Sequence, residues 1–231
     1  MTKEVAKTKE NLPAFLQQGS MRGTENVTQS DLIVPRLELV QSLSPCRKKT
    51  DPSYIEGAYE GMLYNNVTRE LYGPTVKIVP VSYRKEYLIW KDRTKGGGFR
   101  GSFPSMEVAL DAKRELEDGT DCEVIDTAQH FCLLIGPNKI EEIVVSMQRS
   151  KLKTSRKWNS LIRIAGVDSF ARSYNLFAVT QTNANNQDYW GFDVSNDAFV
   201  SEDVYRRAEI LWAQINDGQV KVNTDHEESE Y

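Results

Sequence analysis

The sequence predicts an α+β protein that is mainly β, an oligonucleotide-binding-type β-barrel carrying an inserted basic helix and a C-terminal helix. Three observations predict it. Short apolar runs recur from Leu32 to Val194 with turn residues between them; residues 149–163 hold six cations at helical spacing and no acid; and residues 201–216 have the start signal and apolar stripe of a helix. About five to seven short strands interrupted by one or two helices fit a small barrel, and a β-sandwich accommodates the same strands. No internal repeat is visible.

Taken in order, residues 1–30 are polar apart from Leu12–Leu16 and read as a flexible arm. A domain spanning 31–200 follows. In LIVPRLELVQSLSP (Leu32–Pro45), Pro35 demotes the first half to an edge strand or an extended lead-in. From Ala58 to Tyr87, Asn65-Asn66 and Gly73-Pro74 bracket short strands; TVKIVPVSY alternates, and YLIW (Tyr87–Trp90) prolongs it. Gly96–Gly98 marks a loop, then Ser105 opens a helix running to Glu117 and stopped by Gly119.

HFCLLIG and KIEEIVVSM form strands around a Gly136-Pro137-Asn138 turn, and SYNLFAVTQTN with YWGFDV forms a hairpin through Ala184–Gln187. Between these units the wheel of residues 149–163 sets Met147, Trp158, Leu161 and Ile162 against Arg149, Lys153, Arg156, Lys157 and Arg163, with Lys151 and Leu152 off pattern. The last helix (201–218) has Ser201 at its N-cap, Glu202 and Asp203 in its first turn, and a stripe of Val204, Ala208, Leu211, Trp212 and Ile215. An acidic tail, 219–231, closes the chain.

Composition limits the function classes. The chain has 231 residues, 39% hydrophobic and 27% charged, enough for a real core in a soluble protein. Its pI near 5.4 argues against a polybasic DNA coater, so any nucleic-acid affinity must be local. Cys46, Cys122 and Cys132 are odd in number and lack CxxC spacing, which fits neither a disulfide framework nor a zinc site and points to a reducing cytoplasm. The N-terminus lacks the apolar core of a signal peptide, and no run approaches the roughly 20 apolar residues of a membrane span.

Two basic stretches carry the functional reading. Residues 83–103 interleave Arg84, Lys85, Lys91, Arg93, Lys95 and Arg100 with Tyr83, Tyr87, Trp90, Phe99 and Phe103. Cations neutralise phosphates and exposed rings stack on bases, which is what a single strand requires. The bland account makes Tyr87 and Trp90 core residues and the lysines ordinary solvated groups. The second stretch is Arg149, Lys151, Lys153, Arg156, Lys157 and Arg163, with Trp158 beside them. An ordinary amphipathic helix explains its shape but not its lack of acids, because exposed helices gain from opposite charges four residues apart.

Residues 107–126 run the other way, with eight acids and two bases. So does the tail: Asp225, Glu227, Glu228 and Glu230 precede the terminal Tyr231, and removing the last seven residues lowers the 33 acids to 29, equal to the 29 cations. A tail of this kind is either solubilising or an anionic competitor for the basic groove that is displaced by DNA and then recognised by partner proteins.

Enzymatic readings gain no support. Gly96–Gly98 is followed by no Gly-Lys-Ser/Thr, His130 sits in an apolar run and reads as buried and structural, His226 lies in the tail, and no carboxylate spacing marks a nuclease. No metal or other cofactor is called for, and composition allows a homo-oligomer.

IVPRLELVQSLSP, VTRELYGPTVKIVPVSYRKEYLIWKDR with its GGGF, and VVSMQRSKLKTSRKWNSLIRI together resemble a family of tailed-bacteriophage proteins over about residues 32–194. That resemblance implies a place beside phage replication or recombination genes, in the host cytoplasm during infection. More distantly, the layout resembles phage single-stranded-DNA-binding proteins, matching at the basic helix ending at Arg163 and the acidic C-terminus ending at Tyr231, and departing in the short tail and the hydrophobic helix before it. The expectation is a non-enzymatic, largely sequence-independent coat for single-stranded DNA. Rival expectations are a virion or assembly protein and an accessory subunit of a recombination or nuclease complex.

Overall fold

A single 17-residue strand, β4 (Thr75–Lys91), organises the protein. Its β-branched run Val76, Ile78, Val79 and Val81 suits a strand buried on both faces, and all four side chains are buried. The computed structural model describes residues 34–183 and 185–217, with Arg93 by its backbone alone; the expected arm and acidic tail lie outside the described residues.

The strands are β1 (Leu37–Leu39), β2 (Leu63–Asn65), β3 (Leu71–Gly73), β4, β5 (Phe99–Phe103), β6 (Cys122–Ile135), β7 (Ile140–Gln148), β8 (Arg172–Thr182) and β9 (Asp188–Phe199). The helices are α1 (Met106–Glu115), α2 (Leu152–Ala165) and α3 (Glu202–Asn216). The first three strands form a small antiparallel sheet; the rest form a six-stranded one in the order β7-β6-β4-β8-β9. One edge of β4 pairs with β6 along nearly its whole length. The other is shared, with β8 taking Thr75–Ile78 and β5 taking Tyr87–Trp90.

The mainly β expectation therefore holds, while closure into a barrel does not: among the described residues both sheets are open. Core filling gives the reason. Trp158 of α2 and Leu37, Leu39 and Leu63 of the small sheet occupy one face of the large sheet, packing on Ile78, Met147, Tyr174, Leu176 and Phe192. Each such fully buried side chain contributes roughly 1.5–3 kcal/mol. On the opposite face Ala208, Leu211 and Ile215 of α3 cover Val79, Val81, Phe131 and Leu133. Trp212, expected in that stripe, lies at its margin and is 46% exposed.

A bulge in β4 decides which face each later residue meets. Pro80 faces Cys132 and Ser82 faces Phe131, leaving Val81 as the extra residue, at a point where proline has no ladder hydrogen to lose. Val79 thus points to α3, whereas Tyr83 emerges on the α2 side against His130, their rings 5.1 Å apart.

Several local signals hold, although α1 stops at Glu115, two residues before the expected end. Ser105 Oγ accepts from Val108 N–H at 3.3 Å to cap α1, and a Cβ on Gly119 would meet the Lys113 carbonyl. Asn65 Oδ1 accepts from the N–H groups of Val67 and Thr68 in the expected turn. Ser201 stands at the N-cap of α3 without a side-chain capping bond.

Candidate nucleic-acid interface

Helix α2 owes its position to three contacts on its inner side. Trp158 is fully buried and stacks on His130 at 4.6 Å; Ser155 Oγ is 2.8 Å from His130 Nε2; Thr154 Oγ1 donates to the Phe192 carbonyl at 2.6 Å. Burial lowers the His130 pKa to about 3, so the imidazole is neutral and structural, as its apolar setting in sequence implied. Trp158, one of the expected stacking rings, is sealed inside and presents no face to a nucleotide. The helix ends where Gly166 adopts φ +66° and donates to Arg163 O.

The outer side of α2 is different. Lys153, Arg156 and Arg163 are exposed and form no ion pair among the described residues. At 100° per residue they fall within about 80° of one another, a cationic stripe with no acid on the helix. Lys157 lies just beside it, tied to Asp193 at 2.6 Å, and Lys151 lies over the Phe192 ring at 5.4 Å.

The β4–β5 stretch is largely neutralised. Lys85 pairs with Asp126 at 3.1 Å, Lys91 and Arg100 share Asp118 at 3.1 and 2.9 Å, Lys95 pairs with Asp121, and Arg149 reaches Glu123 at 2.7 Å. Hydrogen bonds from Arg100 and Lys91 hold the Asp118 carboxyl down to about 2. The second half of the acid-rich segment, Asp118 to Asp126, is thus the internal counter-charge of the β4–β5 stretch and of Arg149. Arg84 leaves the interface altogether: the bulge turns it to the other face, where it donates to the Ile215 carbonyl at the end of α3 at 2.6 Å and lies over Phe131.

Among the rings, Tyr83 is 44% exposed beside α2, and Tyr87 lies partly exposed beneath the Lys85 ammonium. Trp90 is half-buried and leans on Phe99 at 5.2 Å. Phe103, paired with Tyr87 across the strands, is also half-buried.

The two stretches meet only at Arg149. A cleft of about 770 Å³ is lined by Trp90, Lys91, Lys95 and Gly96–Gly98 on one side and by Gln148 and Arg149 on the other, with Asp92, Thr120–Glu123 and Ile125 between. Register explains the meeting. Trp90 stands opposite Glu123, Leu88 opposite Ile125, and Thr127 opposite Gln148, so these side chains share one face and lead to Arg149 where β7 ends. Sequence reading passed over Gln148, Glu123 and Asp121, whose only signal was membership of strands and of an acidic run.

The described residues thus define a mainly β protein of two open sheets, with a basic helix on one face and a mixed-charge cleft at one end. The chain belongs to the Pam3 phage gp34-like protein family, whose pattern matches residues 6–221, and it is a phage protein. No curated protein and no solved structure matches it. No helix among the described residues is long and apolar enough to cross a membrane.

Proposed function

We propose that the protein binds single-stranded DNA, largely without regard to sequence, during phage DNA replication or recombination. One observation carries the reading: where most cations of the two basic stretches are in an ion pair, Lys153, Arg156 and Arg163 stand together on α2 without one among the described residues, Lys153 having only the longer-range attraction of Asp193. Such a stripe repels itself and is relieved by a polyanion. Tyr83 and Tyr87, partly exposed on the α2 side of the sheet, offer rings for stacking.

The acidic tail, Asp225, Glu227, Glu228, Glu230 and Tyr231, acts in this reading as a competitor for the stripe and, once displaced, as a handle for replication or recombination proteins. Titrating the full chain and a chain ending at Asn223 with single- and double-stranded oligonucleotides at two salt concentrations tests both parts. Single strands are expected to bind more tightly than duplex, and tail removal is expected to strengthen binding. Absence of binding at low salt overturns the proposal, whereas unchanged affinity on truncation overturns the tail's part alone.

A role in particle assembly is the second reading. It is favoured by α1, which buries only Ala109 and leaves Met106, Val108 and Leu110 between 39% and 47% exposed beside Glu107 and Asp111. Detection of the protein in purified particles would support it.

A further inference from the structure

The cleft where Trp90 meets Arg149 contains more than a track for a sugar-phosphate backbone needs. Its volume, about 770 Å³, falls within the roughly 300–1,000 Å³ of small-ligand sites. An indole, three cations (Lys91, Lys95, Arg149) and three carboxylates (Asp92, Asp121, Glu123) converge there, and the loop at its rim, Gly96–Gly98, has positive φ at each residue and no side chains to keep a phosphate away.

We propose that this cleft takes a single nucleotide whose base offers amino donors, guanine best of all. The proposal rests on the nucleic-acid reading for its biological setting and on the cleft alone for its geometry. Two ion pairs guard the site: Arg149 with Glu123, whose side chains are 51% and 60% exposed, and Lys95 with Asp121, at 53% and 31%. Pairs this exposed contribute about 0–1 kcal/mol, so both open at little cost.

Opening them creates complementary halves. Arg149 and Lys95 take the phosphate by charge-assisted hydrogen bonds of the same class as those they leave, so the exchange costs them little. Glu123 and Asp121, released, can only accept, and need donors. The guanine edge supplies a ring N–H and an adjacent amino group to one carboxylate, and cytosine and adenine supply an amino group. Thymine offers one N–H flanked by two carbonyls, which face the carboxylates with like polarity. Trp90, braced by Phe99, supplies the stacking surface, which accepts any base. Selection therefore comes from the acids and grip from the cations.

Nuclear magnetic resonance of the full-length protein tests this directly, because its four tryptophans, Trp90, Trp158, Trp190 and Trp212, give four indole N–H signals. Trp90→Phe assigns one of them. Titration with dGMP is expected to move the Trp90 signal, with dTMP at least about tenfold weaker, the discrimination of one good bidentate base contact. Glu123→Gln together with Asp121→Asn, whose amides donate as well as accept, is expected to shrink that preference about tenfold while the other indole signals report an unchanged fold. A Trp90 signal unmoved by dGMP, or moved equally by dTMP, overturns the inference even if oligonucleotides bind. Movement by dGMP with no oligonucleotide binding sustains the cleft site and removes the strand-coating role.

Discussion

Replacing Arg156 and Arg163 together by alanine isolates the unpaired stripe of α2. Each phosphate contact on a single strand contributes about 0.7 to the slope of log affinity against log salt, so losing two should make that slope shallower by about 1.4. Over a fourfold rise in salt, the native protein should then lose about sevenfold more affinity than the variant. The informative comparison is a second double variant with the same change of charge, Lys91→Ala with Arg100→Ala. Both of those cations are held by Asp118, at 3.1 and 2.9 Å, with side chains only 20% and 29% exposed, so contact with phosphate would first require breaking a part-buried shared pair, unlike the more exposed pairs of Lys95 and Arg149. Their loss should alter the slope by less than about 0.3, a fraction of one contact. The assay is fluorescence anisotropy of an end-labelled mixed-sequence strand across a salt series, with circular dichroism as the check on folding. Equal changes in slope for the two variants, or none for the α2 variant, would refute the distinction between paired and unpaired cations.

Four further outcomes follow from packing and charge pairing. Trp158→Ala should cost about 3–5 kcal/mol in urea unfolding, since a fully buried ring stacked on His130 leaves a cavity, and an effect under about 1 kcal/mol would contradict its burial. His130 has a folded pKa of about 3 against 6.5 when unfolded, so the unfolded chain binds the extra proton between these values. Stability linked to it is complete above pH 6.5 and is lost on acidification at up to about 1.4 kcal/mol per pH unit, and His130→Gln should flatten that slope. Asp118, depressed to about 2 from 3.8, behaves alike at lower pH: its stabilising pairs are intact above pH 3.8 and are lost as pH falls toward 2, which Asp118→Asn should abolish in acid titrations. Gly61→Ala should lower the melting temperature, by an amount corresponding to about 1–3 kcal/mol, because φ is +81° there and a new Cβ would sit 2.9 Å from the Trp190 ring; an unchanged melting temperature would argue against that approach.

Local signals were legible where chemistry acts over a few residues. The cap at Ser105, the Asn65 turn, the hairpin turns and the helical wheel of α2 all rest on neighbours in sequence. The wheel even placed Trp158 on the apolar side, against the simultaneous reading of that ring as a stacking platform. What escaped was register. Arg149 and Glu123 are 26 residues apart and Lys157 and Asp193 are 36, so their pairing depends on how strands align, which composition does not reveal. The bulge at Pro80–Ser82 likewise sends Arg84 and Tyr83 to faces that simple alternation along β4 would exchange. Counting strands also left closure undetermined, since an open sheet lined by a helix and a barrel lined by side chains have the same alternating pattern.

The segments flanking β1 reach both borders of the large sheet. Val144 N–H donates to the Pro35 carbonyl at 2.8 Å, and the Gln41 amide exchanges bonds of 2.7 and 2.9 Å with the Trp190 backbone, 149 residues further on. During synthesis the amide of Gln41 therefore waits for most of the chain to leave the ribosome before its acceptor exists. A nascent chain halted before Trp190 keeps β7 sheltered at Val144 but has no far border for Gln41 to seal, so incomplete products expose strand-pairing groups that the finished molecule hides. Premature termination late in this gene should accordingly give insoluble fragments, not a smaller working protein.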